Sequence, residues 1–124
     1  MIQLKRAYDE PKPEDGRRVL VDRIWPRGVS REGLELDEWR REVAPSDELR
    51  KWFDHDPDRW EEFRRRYAEE LMEKAESWRP LLEQSGEDRN LTLLYGASDR
   101  EHNNAVALQR FLRHRDERDG AQST

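Results

Sequence analysis

The chain has 124 residues, a net charge of −5, 43% charged and 33% apolar residues, five tryptophans, three phenylalanines, three tyrosines and no cysteine. That length supports one hydrophobic core and not two, and the aromatic side chains supply enough buried area to tell against disorder in so charged a chain. Without cysteine there are no disulfides, thiolate nucleophiles or sulfur-ligated zinc; the first residues lack the apolar stretch of a signal peptide, and no run approaches the ~20 apolar residues of a bilayer span, so the expectation is a soluble cytoplasmic protein with no membrane association.

In chain order, Ile2 and Leu4 alternate with Gln3 and Lys5, predicting a first strand within Ile2 to Tyr8. Pro11, Pro13, Asp15 and Gly16 make a turn-rich connection to a second strand at about Arg18 to Ile24. The connection is short for a parallel crossover, so spacing favours a hairpin, although Pro13-Glu14-Asp15 also suits one helical turn. The apolar run Val19 to Val21 ends in Asp22-Arg23 and meets Trp25-Pro26-Arg27-Gly28, which neither continues a strand nor readily opens a helix: a strand runs into a shaped loop. Ser30 to Val43 fits parts of both a helical and an extended period. Pro45 ends it, and Ser46 as an N-cap with Asp47 and Glu48 opens a short helix through Phe53. Asp56-Pro57 is a second start signal, an N-cap followed by proline at the first helical position.

From there Trp60, Phe63, Tyr67, Leu71, Ala75, Trp78 and Leu82 recur three and four apart, one apolar stripe predicting the longest helix, kinked or ended near Trp78 or Arg79 by Pro80. After a polar loop, Leu91 to Tyr95 reads as a strand covered on both faces. Gly96 to Arg100 is the next loop, Glu101 to His114 a helix, and 116–124 a polar, disordered tail, leaving 1–115 as a single domain. Strands separated by helical material define an α/β fold: a small, mainly parallel central sheet flanked by helices.

Residues 17–31 hold five arginines against one acid, a local +4 that leaves −9 for the rest of the chain. A basic loop in an acidic protein points to a small anionic ligand, while the overall sign tells against broad nucleic-acid binding. In open α/β sheets ligands bind beyond the carboxyl ends of strands, which makes Asp22, Arg23, Trp25 and Arg27 candidates. The arginines can hold a phosphate or carboxylate bidentately, Asp22 can orient one of them or accept a proton, and Trp25 can stack on a nucleotide. The plain alternative is an internal Asp-Arg pair that pins the loop.

The loop after the last strand supplies the other candidates. Gly96 admits close backbone approach, and Ser98 or Asp99 caps a helix whose N-terminus favours an anion. His102, Asn103 and Asn104 crowd the first turn, where asparagine is a poor helix former often kept for its hydrogen bonds; the plain alternative is capping alone. Gly96-Ala97-Ser98-Asp99-Arg100 lacks the second glycine of a nucleophile elbow, and in Asp54-His55-Asp56 adjacent residues rarely point at one ion, so neither a Ser98 nucleophile nor a metal site is expected, and no cofactor. The tryptophans at 39, 52, 60 and 78 read as packing residues.

Val21-Asp22-Arg23-Ile24-Trp25-Pro26-Arg27-Gly28, Ala44-Pro45-Ser46, Leu49-Arg50-Lys51-Trp52-Phe53, His55-Asp56-Pro57 with Trp60, Phe63 and Tyr67, Leu93-Leu94-Tyr95-Gly96-Ala97, and His102-Asn103-Asn104-Ala105 together resemble the domain of unknown function 488 family (DUF488) over nearly the full length, in its short bacterial and archaeal branch described as YeaO-like. The resemblance implies an α/β fold with a mainly parallel sheet and no established activity. More distant members carry a Cys-His-Arg signature in the loop after the last strand, suited to thiol or phosphate chemistry. The corresponding loop here has no cysteine, which tells against a cysteine-based mechanism. The functional expectation is binding of a phosphate- or nucleotide-like anion at the carboxyl edge of the sheet, with hydrolase or transferase chemistry an option. The alternative is a non-catalytic regulatory or protein-interaction module whose arginine loop meets an acidic partner.

Overall fold

Four strands form one sheet in the order β1-β4-β2-β3, every neighbouring pair parallel: β1 is Ile2–Arg6, β2 Arg17–Leu20, β3 Glu38–Trp39 and β4 Leu91–Tyr95. The computed structural model describes the backbone of residues 1–86 and 88–122, and side chains in its last helix as far as Arg115. Five helices surround the sheet: α1 Arg31–Leu34, α2 Asp47–Phe53, α3 Trp60–Met72, α4 Ala75–Gln84 and α5 Asn104–Gln122. The α/β class and the parallel sheet are as the sequence predicts. The tail expected over 116–124 falls on residues whose side chains, and for 123 and 124 whose backbone, lie outside the described residues.

β4 is buried along its whole length because it is a central strand with both faces covered. Leu91, Leu93 and Tyr95 pack with Val19 and Val21 against the rings of α3 and the apolar side of α5, while Leu94 and Leu20 pack on the opposite face with Leu34, Trp25 and Trp39. The two-residue period of the strands thus divides the core between two faces.

The hairpin favoured by spacing does not form. β4 inserts between β1 and β2, and the ten-residue connection is a parallel crossover made without a regular helix. Its single 3₁₀ turn, Pro13–Asp15, is held down by charge: Asp15 is buried, accepts from Lys5 Nζ at 2.9 Å and from the Lys12 amide at 3.0 Å, and pairs with the buried Arg18. Thr92 Oγ1 of β4 donates to the Asp15 carbonyl at 2.7 Å. Ten extended residues reach roughly 33 Å, ample for a five-residue strand, so the crossover needs an anchor rather than length.

Two further expectations are corrected. The second strand is shorter than Arg18 to Ile24, because after Leu20 the chain turns into the candidate loop; the ambiguous stretch from Ser30 resolves into α1, the edge strand β3 and a 3₁₀ turn at Arg41–Val43. The stripe from Trp60 to Leu82 is two helices, and α5 is the longest. The break falls at Glu73 and Lys74, ahead of Pro80: the Trp78 indole donates to the Leu71 carbonyl at 2.7 Å, satisfying the end of α3, and Lys74 Nζ donates to the Ala44 carbonyl at 2.7 Å. Pro80 lies inside α4, where it removes the bond to the Glu76 carbonyl; Arg40 donates there at 3.2 Å and to the Ser77 carbonyl at 2.6 Å instead. Proline is tolerated because an arginine supplies the missing donor.

Candidate functional site

The carboxyl ends of β1, β2 and β4 open onto one cleft of about 700 Å³, within the range of roughly 300–1,000 Å³ that holds small organic ligands. Its walls come from three directions. The loop after β2 contributes Asp22, Arg23, Trp25 and Arg27; the loop after β4 and the first turn of α5 contribute Gly96, Asn103 and Asn104; and α2 with the residues that follow it contributes Arg50, Lys51 and His55. Tyr8, from the loop after β1, closes the rim and donates through its hydroxyl to the Arg27 carbonyl at 2.8 Å.

Asp22 joins the two strand-end loops. Its Oδ2 accepts from the Gly96 amide at 2.8 Å, and its carbonyl accepts from Trp39 Nε1 at 2.8 Å. Oδ1 is shielded from solvent without a hydrogen-bond partner. Burial pushes the carboxyl above its usual range, opposed by the Gly96 amide, the Asn104 amide and the nearby His55. The Asp-Arg pair considered as a structural alternative is absent: among the described residues neither Arg23 nor Arg27 forms an ion pair with Asp22. Arg23 reaches the Pro45 carbonyl at 3.3 Å and lies 3.6 Å from Asp47. Arg27 is exposed, and no described group pairs with its guanidinium or accepts from it. Trp25 donates to the Val29 carbonyl at 2.7 Å and meets Trp39 edge to face at 5.3 Å, so it is a wall of the cleft supported from behind.

The second loop separates its residues by role. Asp99 Oδ1 accepts from the amides of Glu101 at 2.9 Å and His102 at 3.0 Å, and these bonds hold its carboxyl below the usual range. Asn103, buried, is the N-cap of α5: its Oδ1 accepts from the Val106 amide at 3.0 Å, and its Nδ2 donates to the Asp99 carbonyl at 2.9 Å. The helix expected from Glu101 therefore starts at Asn104. His102 sits 3.0 Å from Asp99 and edge-on to Trp60 at 5.3 Å. Ser98, Asp99 and His102 do not line the cleft; Asn103 and Asn104 do, Asn104 while donating to the Val21 carbonyl at 3.1 Å.

Sequence reasoning passed over Tyr8, Arg50, Lys51 and His55 as cleft residues. α2 swings the last three onto the cleft by packing Phe53 on Phe63 at 4.3 Å, a contact that no local pattern encodes. The backbone marks the same place: Asp54 and His55 are consecutive non-glycine residues with positive φ, 47° and 55°. Such conformations cost of order 1–3 kcal/mol each and gather at functional sites.

The fold and the cleft define a small parallel α/β domain with a basic cleft at the carboxyl edge of its sheet. The chain belongs to the DUF488-N3i family, described as the inactive DUF488-N3 subclade, whose model matches residues 1–124. It is similar to the uncharacterized protein YeaO of Escherichia coli, 42% identical over 112 residues that cover 90% of this chain and 96% of that protein. The uncharacterized proteins Rv3073c of Mycobacterium tuberculosis and Mb3100c of Mycobacterium bovis are each 47% identical over 74 residues, 60% of this chain and 63% of theirs. No solved structure matches.

Proposed function

We propose that the cleft binds a small anionic ligand, phosphate- or nucleotide-like, and that the protein acts as a binding module without chemistry of its own. The observation that carries this reading is Arg27: an exposed guanidinium with no partner among the described residues stands on a cleft also lined by Arg23, Arg50 and Lys51. Asp47 pairs with Arg23 and Arg50, and Asp22 and Asp54 also face the cleft, but Arg27 and Lys51 have no ion-pair partner among the described residues, so the arrangement is more favourable with an anion present. The family's description as an inactive subclade supports the absence of chemistry. Asn104 and the Gly96 backbone complete a mixed polar and apolar wall.

The test is thermal melting with and without millimolar phosphate, sulfate or nucleotide. A ligand of the native state at 100 times its Kd stabilises by about 2.7 kcal/mol, so the wild-type midpoint should rise. Arg27→Ala should melt with the wild type in plain buffer, since no structural pair is lost, and should lose the shift. A wild type indifferent to every anion removes this reading, and Asp22-dependent turnover of a phosphate ester would replace it with an enzyme. A second reading, an acidic segment of a partner protein seated in the same cleft, is favoured by Ile24 and Tyr8, which are 58% and 48% exposed at the rim.

A further inference from the structure

We propose that binding of an anion in the cleft is coupled to uptake of a proton by the Asp22 carboxyl, so that the site binds more tightly as the pH falls. The inference rests on the anion-binding reading above and concerns how that site is regulated.

The geometry that carries it is a shielded carboxyl that sits among cations and pairs with none of them. Asp22 lines the same cleft as Arg23, Arg27, Arg50 and Lys51, yet none of them pairs with it among the described residues. One oxygen is committed to the Gly96 amide at 2.8 Å; the other is shielded from solvent and makes no hydrogen bond, the nearby Asn104 amide donating to the Val21 carbonyl instead. A carboxylate so placed is poorly solvated, and an oxyanion entering the cleft adds like charge beside it. When two negative groups share a site, one of them takes a proton. Of the pair, the ligand keeps its contacts with the rim arginines, so the proton goes to Asp22.

The other charged and titratable groups about the cleft do not remove this coupling. Tyr67, buried beneath it on α3, is held well above its ordinary value by burial and stays neutral. Asp54 is exposed on the rim, and Asp47, also exposed, pairs with Arg23 at 3.6 Å and with Arg50 at 3.4 Å. His55, on the same wall as Asp54, is the one rival, because protonating an imidazole there would also favour an anion. Variants separate the two groups.

Sulfate is the probe, since its charge is constant across the pH range used. Calorimetric titration of the full chain between pH 5 and 8 should show affinity rising as pH falls, by at most about tenfold per unit for one proton. Titration in buffers of different ionisation enthalpy should show proton uptake on binding. Asp22→Asn keeps an oxygen for the Gly96 amide and removes the charge; it should bind sulfate at pH 8 as tightly as the wild type does at pH 5, with a flat profile. His55→Gln should keep the slope and the proton uptake, and it tests the proposal even if the Asp22 variant does not fold. A slope that vanishes in His55→Gln, one that persists in Asp22→Asn, or a wild type that binds sulfate with no proton uptake overturns the coupling and leaves the anion site standing. No sulfate binding at any pH overturns both.

Discussion

Asp22 and Gly96 show how closely single atoms set the cleft. A Cβ at Gly96 would stand 3.3 Å from Asp22 Oδ2, tight but movable, because the neighbour is a side chain. At Gly16 a Cβ would fall 2.1 Å from the Asn90 carbonyl oxygen, and the residue sits at φ +65°. Backbone pinned beside a central strand cannot retreat. Gly16→Ala should therefore cost roughly 2–4 kcal/mol, combining left-handed strain with overpacking. Gly96→Ala should cost about 1 kcal/mol and act mainly on anion binding. Urea unfolding of both variants checks the ranking, and equal losses would mean that the Asp22 loop is as rigid as the sheet.

Among the elements, α3 and α4 illustrate how polar contacts decide where an apolar stripe is cut. Trp60, buried, stacks on Phe63 at 5.8 Å and meets His102 edge-on. Trp60→Ala should cost about 3–5 kcal/mol through lost burial and a cavity, and should loosen the first turn of α5 through His102. Arg40 covers carbonyls of Glu76 and Ser77. Arg40→Ala should cost about 1–3 kcal/mol for the acceptors left behind. Pro80→Ala restores the missing amide and should relieve most of that loss when combined with Arg40→Ala. A double variant no more stable than Arg40→Ala alone would show that Arg40 acts through Glu38 rather than through α4. The Ser46 cap of α2 and the β4 strand were legible from sequence, because each depends on neighbours within a few residues, and the Asp56 signal was legible as a start, although it caps the 3₁₀ turn Pro57–Arg59 that leads into α3 at Trp60. The cut at Lys74 was not, because it depends on the Ala44 carbonyl thirty positions away.

At the scale of the molecule, stability should be lost in acid through carboxyls held low. Asp9 is pushed down to about 2 by Arg100, which grips both of its oxygens at 2.9 Å. Asp15 and Glu38 are lowered too: burial works against the charged form in both, and it is outweighed by Lys5, the Lys12 amide and Arg18 for Asp15, and by Arg17 and Arg40 for Glu38. A carboxyl depressed in the folded state contributes stability above its unfolded value, here about 4, and loses it as the pH falls towards 2. Asp22, raised by burial, has the opposite sign and costs stability as the pH rises above about 4. Acid unfolding midpoints should accordingly move to higher pH in Asp15→Asn, which strands Lys5 and a buried Arg18 and should cost about 3–5 kcal/mol at neutral pH. An Asp15→Asn chain as stable as the wild type would make the Pro13–Asp15 anchor dispensable. By itself the sequence determined the α/β class, the family, the caps and two of the loops that form the cleft, because periodicity, capping and turn chemistry act over a few residues. Only the tertiary structure decided that β4 stands between β1 and β2, that α2 brings Arg50, Lys51 and His55 to the cleft, and that Asp22 bonds Gly96 instead of an arginine. Those outcomes follow from buried charges and ring contacts between residues far apart in the chain, whose energies appear only once the sheet has assembled.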